Sequence, residues 1–313
     1  MLQYLVVLID NISLSYCHAD NPCKERLLMP IETLKKAISF GMKNNLMVQY
    51  VMPPYNLSKE YYDVLETIDN IKIGSDVSVF DFIPESAPTG KVVLRINIPD
   101  FIEKTNMIMS LIKTTERLSI CYKDIEKFKD EMIPGYINAL DNISKTIVNE
   151  YRDGKKPEIN ILTDILKTEK MCNCGAGITN ITIAPNGCFY LCPAFYYNEI
   201  MGVDNGMDYR KKDSNYSVGN LHEGVYIPNR HLLELECAPL CRVCDAYHCN
   251  RCIWLNNKLT GDSNTPSHQQ CVLSHIERNA SRNLSIEFQK IGLNFRYIKE
   301  IPYLDPFDNV FQQ

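Results

Sequence analysis

The sequence predicts an α/β fold, either an open parallel sheet or an incomplete barrel, followed by a small cysteine-rich domain. Three observations predict it. Short apolar runs alternate with helix-period segments through the first half of the chain. Neither a Gly-x-Gly-x-x-Gly motif nor a phosphate-binding loop accompanies them, which argues against a nucleotide-binding Rossmann domain. Ten of the thirteen cysteines then fall between Cys172 and Cys271.

In chain order, the apolar run Tyr4–Ile9 reads as a buried strand. From Pro30 to Lys43, Ile31, Leu34, Ala37, Ile38 and Met42 recur at helical spacing behind a proline suited to a first turn. Leu46–Met52 is a second strand, and Ser58–Ile68 a helix opened by a serine cap. Strands follow at Val77–Phe80 and Val92–Ile98, with a helix from Asp100 to Lys113 opened by an aspartate. Leu118–Tyr122 is another strand. Asp124–Tyr151 is a long helix with a break point at Pro134-Gly135, and Ile159–Leu162 is a final strand. The boundary falls near Gly154–Pro157 or just before Cys172. Beyond it, Asn186-Gly187 between Asn180–Pro185 and Cys188–Cys192 signals a tight hairpin. Met201–Val225 and Asp262–Gln270 read as polar loops, Val272–Leu284 as a helix, and Ile301–Gln313 as an irregular strap.

Composition bounds the function. With 313 residues, 45% hydrophobic and 23% charged, the chain can bury a core and is long enough for two domains. A net charge of -5 argues against nucleic acid as the main partner. No run of about eighteen apolar residues is present, so no membrane span is expected. Met1–Asp10 lacks a cationic lead and meets an acid at once, unlike a signal peptide. A cytoplasmic location follows as the expectation, and with it thiols that are reduced or metal-bound rather than disulfide-linked.

Spacing singles out seven cysteines. Cys241-x2-Cys244-x4-Cys249-x2-Cys252 forms a dense block, with Cys271 downstream and Cys174 and Cys192 upstream. A metal centre needs several sulfurs converging within a few ångströms, and a Cys-x-x-Cys turn aims two at one point. Four ligands close one site, so seven imply two. Both iron–sulfur clusters and all-thiolate zinc suit the pattern, and His248 could replace a thiolate at zinc. Arg242 and Arg251 could offset the negative charge of such a site. Cys121, on an apolar strand, reads as a core thiol. Cys17-His18 and Cys23 read as a polar loop, with a residual metal or substrate site as the alternative, and His222 and His231 read as exposed. Trp254 is expected to pack, and Lys123–Lys129 and Arg152–Lys156 to be solvated.

The order Cys174-x12-Gly187-x4-Cys192, Cys241-x2-Cys244-x4-Cys249-x2-Cys252 and Cys271 resembles the SPASM domain, the iron–sulfur extension of many peptide-maturing radical SAM enzymes. Two loops, Asp245–His248 and Asn250-Arg251, are each one residue shorter than that pattern. More narrowly, the chain resembles the CXXX repeat peptide maturases. Leu5–Asp10 leading into Ser13–His18, Asn45–Val51, His248–Asn256, Asn264–Cys271 and His275–Ser281 carry this likeness. The resemblance implies a degenerate radical-SAM-like partial barrel over 1–165, a SPASM-like domain over 166–285 and a tail over 286–313.

It also implies two [4Fe-4S] clusters. One would sit on Cys241, Cys244, Cys249 and Cys271, the other on Cys174, Cys192 and Cys252. Cys188 and Cys192 share a strand face in this reading, but four residues of strand span roughly 13 Å, too far for one cluster. Cys172 is the better fourth ligand and Cys237 the runner-up.

The implied partners are a cysteine-repeat precursor peptide and a separate radical SAM maturase. A radical SAM enzyme carries Cys-x3-Cys-x2-Cys after its first strand; here that loop holds only Cys17 and Cys23, and no Gly-Gly-Glu is present. SAM is therefore not expected, and the chain is read as an accessory maturase rather than a self-sufficient radical SAM enzyme. A zinc-stapled binding module without redox role is the alternative.

Overall fold

A computed structural model describes residues 2–171, 174–201 and 216–298. Nine strands form a mainly parallel sheet: β1 Tyr4–Leu8, β2 Met47–Val51, β3 Asn70–Ile73, β4 Val77–Phe80, β5 Gly90–Ile96, β6 Thr115–Tyr122, β7 Glu158–Ile159, β8 Asn180–Ile183 and β9 Phe189–Tyr190. Their order is β7-β6-β5-β4-β3-β2-β1-β8-β9, antiparallel only at β8–β9 among the registers described. The chain folds as two compact units. One comprises 1–79, 175–237 and 253–264; the other comprises 80–174, 238–252 and 265–313. The segment the sequence assigned to one cysteine-rich domain is therefore divided between them, because β8 pairs with β1 in parallel.

In the first unit, helix α1 (Ile31–Lys43) turns Leu34, Ala37 and Ile38 onto Leu5, Val7, Val48, Tyr50, Ile181 and Ile183. Each such fully buried aliphatic side chain contributes about 1.5–3 kcal/mol of transfer free energy. Gly41 lets the helix approach closely: a Cβ there would sit 3.0 Å from a Val48 methyl. Helix α2 (Lys59–Leu65) is shorter than the pattern suggested, and its Ser58 makes no capping hydrogen bond. Strand β3 has four residues and was not among the strands read from sequence. The hairpin at Asn186-Gly187 forms as expected, Gly187 taking φ +77. Cys192 lies beyond β9, just ahead of helix α6 (Pro193–Met201), so it does not share a strand with Cys188. The backbone carbonyl of Phe189 accepts the Val218 N–H at 2.7 Å, covering the outer edge of β9. A two-stranded ribbon, β10 (Gly219–Asn220) and β11 (Gly224–Val225), and helix α7 (Ile253–Thr260) complete this unit.

In the second unit the helix expected from Asp100 is two, α3 (Ile98–Glu103) and α4 (Thr105–Thr114), broken at Lys104. Asp100 is not the cap; the Ile98 N–H donates to the Asp124 carboxylate at 3.0 Å, a partner 26 residues away. Two 3₁₀ turns precede α5 (Ile133–Arg152), and Pro134 starts this helix instead of breaking it. In a first turn proline's missing N–H costs nothing. The last long helix, α8 (His268–Lys290), begins four residues before the expected start. Ser267 caps it, accepting the Gln270 N–H at 3.2 Å, in a Ser-x-x-Gln arrangement that the sequence already displays. Helices α5 and α8 meet through Tyr151 and Phe288, ring centroids 4.6 Å apart. Cys172 and the strap Ile301–Gln313 lie outside the described residues, as does most of the Met201–Val225 loop.

Candidate metal centre

The second unit brings four of the predicted ligands to one place. Cys241, Cys244, Cys249 and Cys271 line a single small pocket, with a cavity volume of about 20 Å³. Leu240, Ala246, Met171 and Pro266 supply apolar walls; Arg251, Gln270, Ser274 and His275 supply polar ones. Two sequence features build it. The Ser267 cap sets the phase of α8, so Cys271, Ser274 and His275, spaced by three and four residues, share a helix face. The loop 238–252 is folded by local backbone bonds, Cys244 N–H to Cys241 carbonyl at 3.1 Å and Cys249 N–H to Ala246 carbonyl at 2.9 Å.

This loop is tied to α8 by charge. Fully buried Arg278 donates to both oxygens of Asp245, at 3.1, 3.0 and 2.6 Å. The Cys244 sulfur accepts the Ala246 N–H at 3.4 Å and stands 3.4 Å from His275 Nε2. Burial pushes the Cys241 and Cys244 thiols up to about 12. For Cys241, neighbouring Cys249 adds to this and the Arg251 guanidinium opposes it. Burial raises Cys249 too, offset by hydrogen bonds from the Ser274 hydroxyl, the Arg251 backbone N–H and Gln270. Burial also lowers His275 to about 4, so its imidazole is neutral near pH 7.

The donor set fits a thiolate-bound metal group. Four thiols line one small pocket with hydrogen-bond donors already aimed at two of the sulfurs. His275 Nδ1 and Gln270 Oε1 are buried without a hydrogen-bond partner. Among the described residues, no three His, Cys, Asp or Glu side chains converge as the ligands of one metal ion. The sulfurs surround the space; they do not meet at a point within it.

Other residues fall elsewhere. His248 does not line the cavity. Its Nε2 is 3.0 Å from Glu277 Oε2, and Tyr136 OH donates to Glu277 Oε1 at 2.5 Å, with Tyr122 OH 2.7 Å beyond. This buried chain of polar groups has no signature at sequence level, because its members lie on four separate segments. Arg242 is exposed, whereas Arg251 is fully buried. Cys174 and Cys252 belong to the second unit, where the Cys174 N–H donates to the Asn250 carbonyl at 2.8 Å; Cys192 belongs to the first. Cys237 ends a 3₁₀ turn and Cys188 follows the hairpin turn, both partly exposed. Cys17 and Cys23 lie in the loop after β1, with the Cys23 thiol 3.4 Å from the Glu25 carbonyl. Cys121 is buried on β6, Trp254 is buried, and His222 and His231 are exposed, as expected. None of the twelve described cysteines forms a disulfide. Ser274 was not singled out from sequence, and Gln270, His275, Glu277 and Arg278, although within segments that carry the family likeness, were given no role at the site. The helical spacing that follows Cys271 is the signal that would have found Ser274 and His275.

No protein-family model and no curated protein matches the sequence. Solved structures do match the fold. One is native anSMEcpe with bound AdoMet, an anaerobic sulfatase-maturating enzyme, at TM-score 0.57 and 11% identity, covering 92% of this chain and 100% of that one. The same enzyme with AdoMet and the Cp18Cys peptide gives TM-score 0.55 and 10% identity, covering 92% and 99%. With the Kp18Cys peptide it gives 0.55 and 11%, covering 91% and 99%. No helix among the described residues is long and apolar enough to cross a membrane. The chain therefore has a radical-SAM-like α/β fold with a mainly parallel nine-stranded sheet.

Proposed function

We propose that this chain is an accessory maturation protein for ribosomally made, cysteine-repeat peptides, working with a separate radical SAM enzyme. In this reading its downstream thiols hold iron–sulfur clusters. The observation that carries it is the gathering of Cys241, Cys244, Cys249 and Cys271 around one small pocket. Sulfurs that line one pocket without converging at a point are less suited to a single zinc ion, which wants four ligands at about 2.3 Å, than to a multi-atom cluster. The matching fold of an enzyme solved with bound peptides supports a peptide substrate.

When bound, such clusters supply electron transfer or an iron able to take a substrate thiolate. The chain's own residues do the rest. Cys241, Cys244, Cys249 and Cys271 ligate, Ser274 and the Arg251 N–H donate to the Cys249 sulfur, and Arg278–Asp245 fixes the loop against α8. A second cluster on Cys174, Cys192 and Cys252 remains what the family resemblance implies. With only Cys17 and Cys23 after β1, reductive cleavage of SAM is assigned to the partner enzyme.

Anaerobic purification tests this. A brown protein with about four irons supports the first cluster and about eight supports both, counting four per cubane. A colourless protein with zinc supports the closed, stapling alternative. Formation of 5′-deoxyadenosine from SAM by this chain alone would overturn the accessory assignment.

A further inference from the structure

Two consecutive residues of the cysteine loop meet two residues of α8 that lie one turn apart. Asp245 accepts from the Arg278 guanidinium at 2.6 to 3.1 Å, and the Cys244 sulfur stands 3.4 Å from His275 Nε2. Helix residues three apart share a face, so the first contact sets the register of the second. His275 lines the pocket and is 4% exposed. Its Nδ1 is buried and has no hydrogen-bond partner among the described residues. A Cys244 thiol donating to Nε2 would put the ring proton on Nδ1, where it is stranded. A Cys244 thiolate accepting from Nε2–H leaves only a lone pair without a partner, which is the smaller cost. A metal-bound cysteine is such a thiolate. One residue earlier on α8, the Ser274 hydroxyl donates to the Cys249 sulfur, so this helix turn serves two of the four sulfurs.

We propose that His275 is a positioning residue for the cluster held by Cys241, Cys244, Cys249 and Cys271: its Nε2–H holds the Cys244 thiolate and makes the cluster easier to reduce. This rests on the iron–sulfur reading above. Reduction adds one electron, and the added negative charge spreads onto the ligand sulfurs, where a hydrogen bond strengthens. No proton moves in this step; the ring keeps its hydrogen on Nε2. His248, the histidine of the cysteine loop itself, does not play this part, because its Nε2 stands 3.0 Å from Glu277 Oε2.

The test uses the full chain, reconstituted anaerobically with iron and sulfide, as wild type, His275→Leu, His275→Gln and Tyr122→Phe. Glutamine keeps an N–H donor near the position of Nε2, and leucine keeps bulk without one. Tyr122→Phe removes a buried hydroxyl that pairs with Tyr136, and so controls for lost stability. Iron and sulfide are counted, circular dichroism checks the fold, and midpoint potentials are read by spectroscopic titration with dithionite. His275→Leu should disfavour reduction about tenfold, about 59 mV for one electron. His275→Gln should stay within about threefold of wild type, and Tyr122→Phe should match it. Loss of the cluster from folded His275→Leu, where His275→Gln keeps it, also supports the proposal. Should His275→Leu not fold, His275→Phe carries the same measurement with a ring that has no N–H. Equal potentials in wild type and the donor-removing variant overturn the proposal and leave the cluster reading standing. So do equal shifts in His275→Leu and His275→Gln, or loss of the cluster from both, which would make His275 a matter of packing or ligation. A wild type that loads no iron overturns the proposal and the cluster reading together.

Discussion

Arg278 on α8 donates to both carboxylate oxygens of Asp245, clamping the cysteine loop to the helix that carries Cys271. Arg278 is fully buried and Asp245 is not, so the two halves of the pair differ in what their loss exposes. Asp245→Ala should destabilise the chain by about 3 kcal/mol, because a buried guanidinium loses its partner. Arg278→Met should cost less, because the carboxylate left behind reaches water. Urea unfolding of both variants checks the order; the reverse order would mean that packing, not charge, decides it.

The four cavity cysteines should behave as one unit. Replacing Cys241, Cys244, Cys249 or Cys271 singly by alanine should remove the same amount of iron. Cys121→Ala, on β6, should leave iron content unchanged at a stability cost of about 1 kcal/mol. Iron assay with circular dichroism separates the two outcomes.

Without metal, stability should peak between about pH 6.5 and 9. Cys241 and Cys244 are raised to about 12 in the folded chain, so above pH 9 the unfolded thiols ionise first and stability falls as pH rises. The loss reaches at most about 4 kcal/mol per thiol by pH 12. His275 is lowered to about 4, so below pH 6.5 the unfolded imidazole takes the proton first and stability falls as pH drops. Metal loading should flatten the alkaline limb, since bound thiolates no longer titrate. Chemical unfolding across pH, with and without metal, reads both limbs.

Tyr136 donates to Glu277 in an apolar interior, with His248 on the other carboxylate oxygen. Tyr136→Phe should cost about 1.5–3 kcal/mol, the range for a hydrogen bond to a charged group. Tyr122→Phe, one step further from the carboxylate, should cost about 1 kcal/mol. Thermal unfolding of the pair tests the gradient.

Much of the fold was legible in local sequence. Runs such as Leu5–Ile9 read as buried strands, Leu34, Ala37 and Ile38 as the apolar face of a helix, and Asn186-Gly187 as a tight turn. The cysteine block was legible because ligand spacing is itself local. Asp124 capping α3 and β8 joining β1 were not legible, because each depends on a partner far along the chain.

By itself the sequence determined an alternating α/β chain with a cysteine array at ligand-like intervals. Periodicity and spacing act over a few residues and need no fold to be read. Tertiary structure alone decided that Arg251 borders the cysteine pocket while Arg242 is exposed, and that His275 lines the pocket while His248 stands against Glu277. Those outcomes turn on helix phase and loop direction, and both are settled only when α8 packs against the loop.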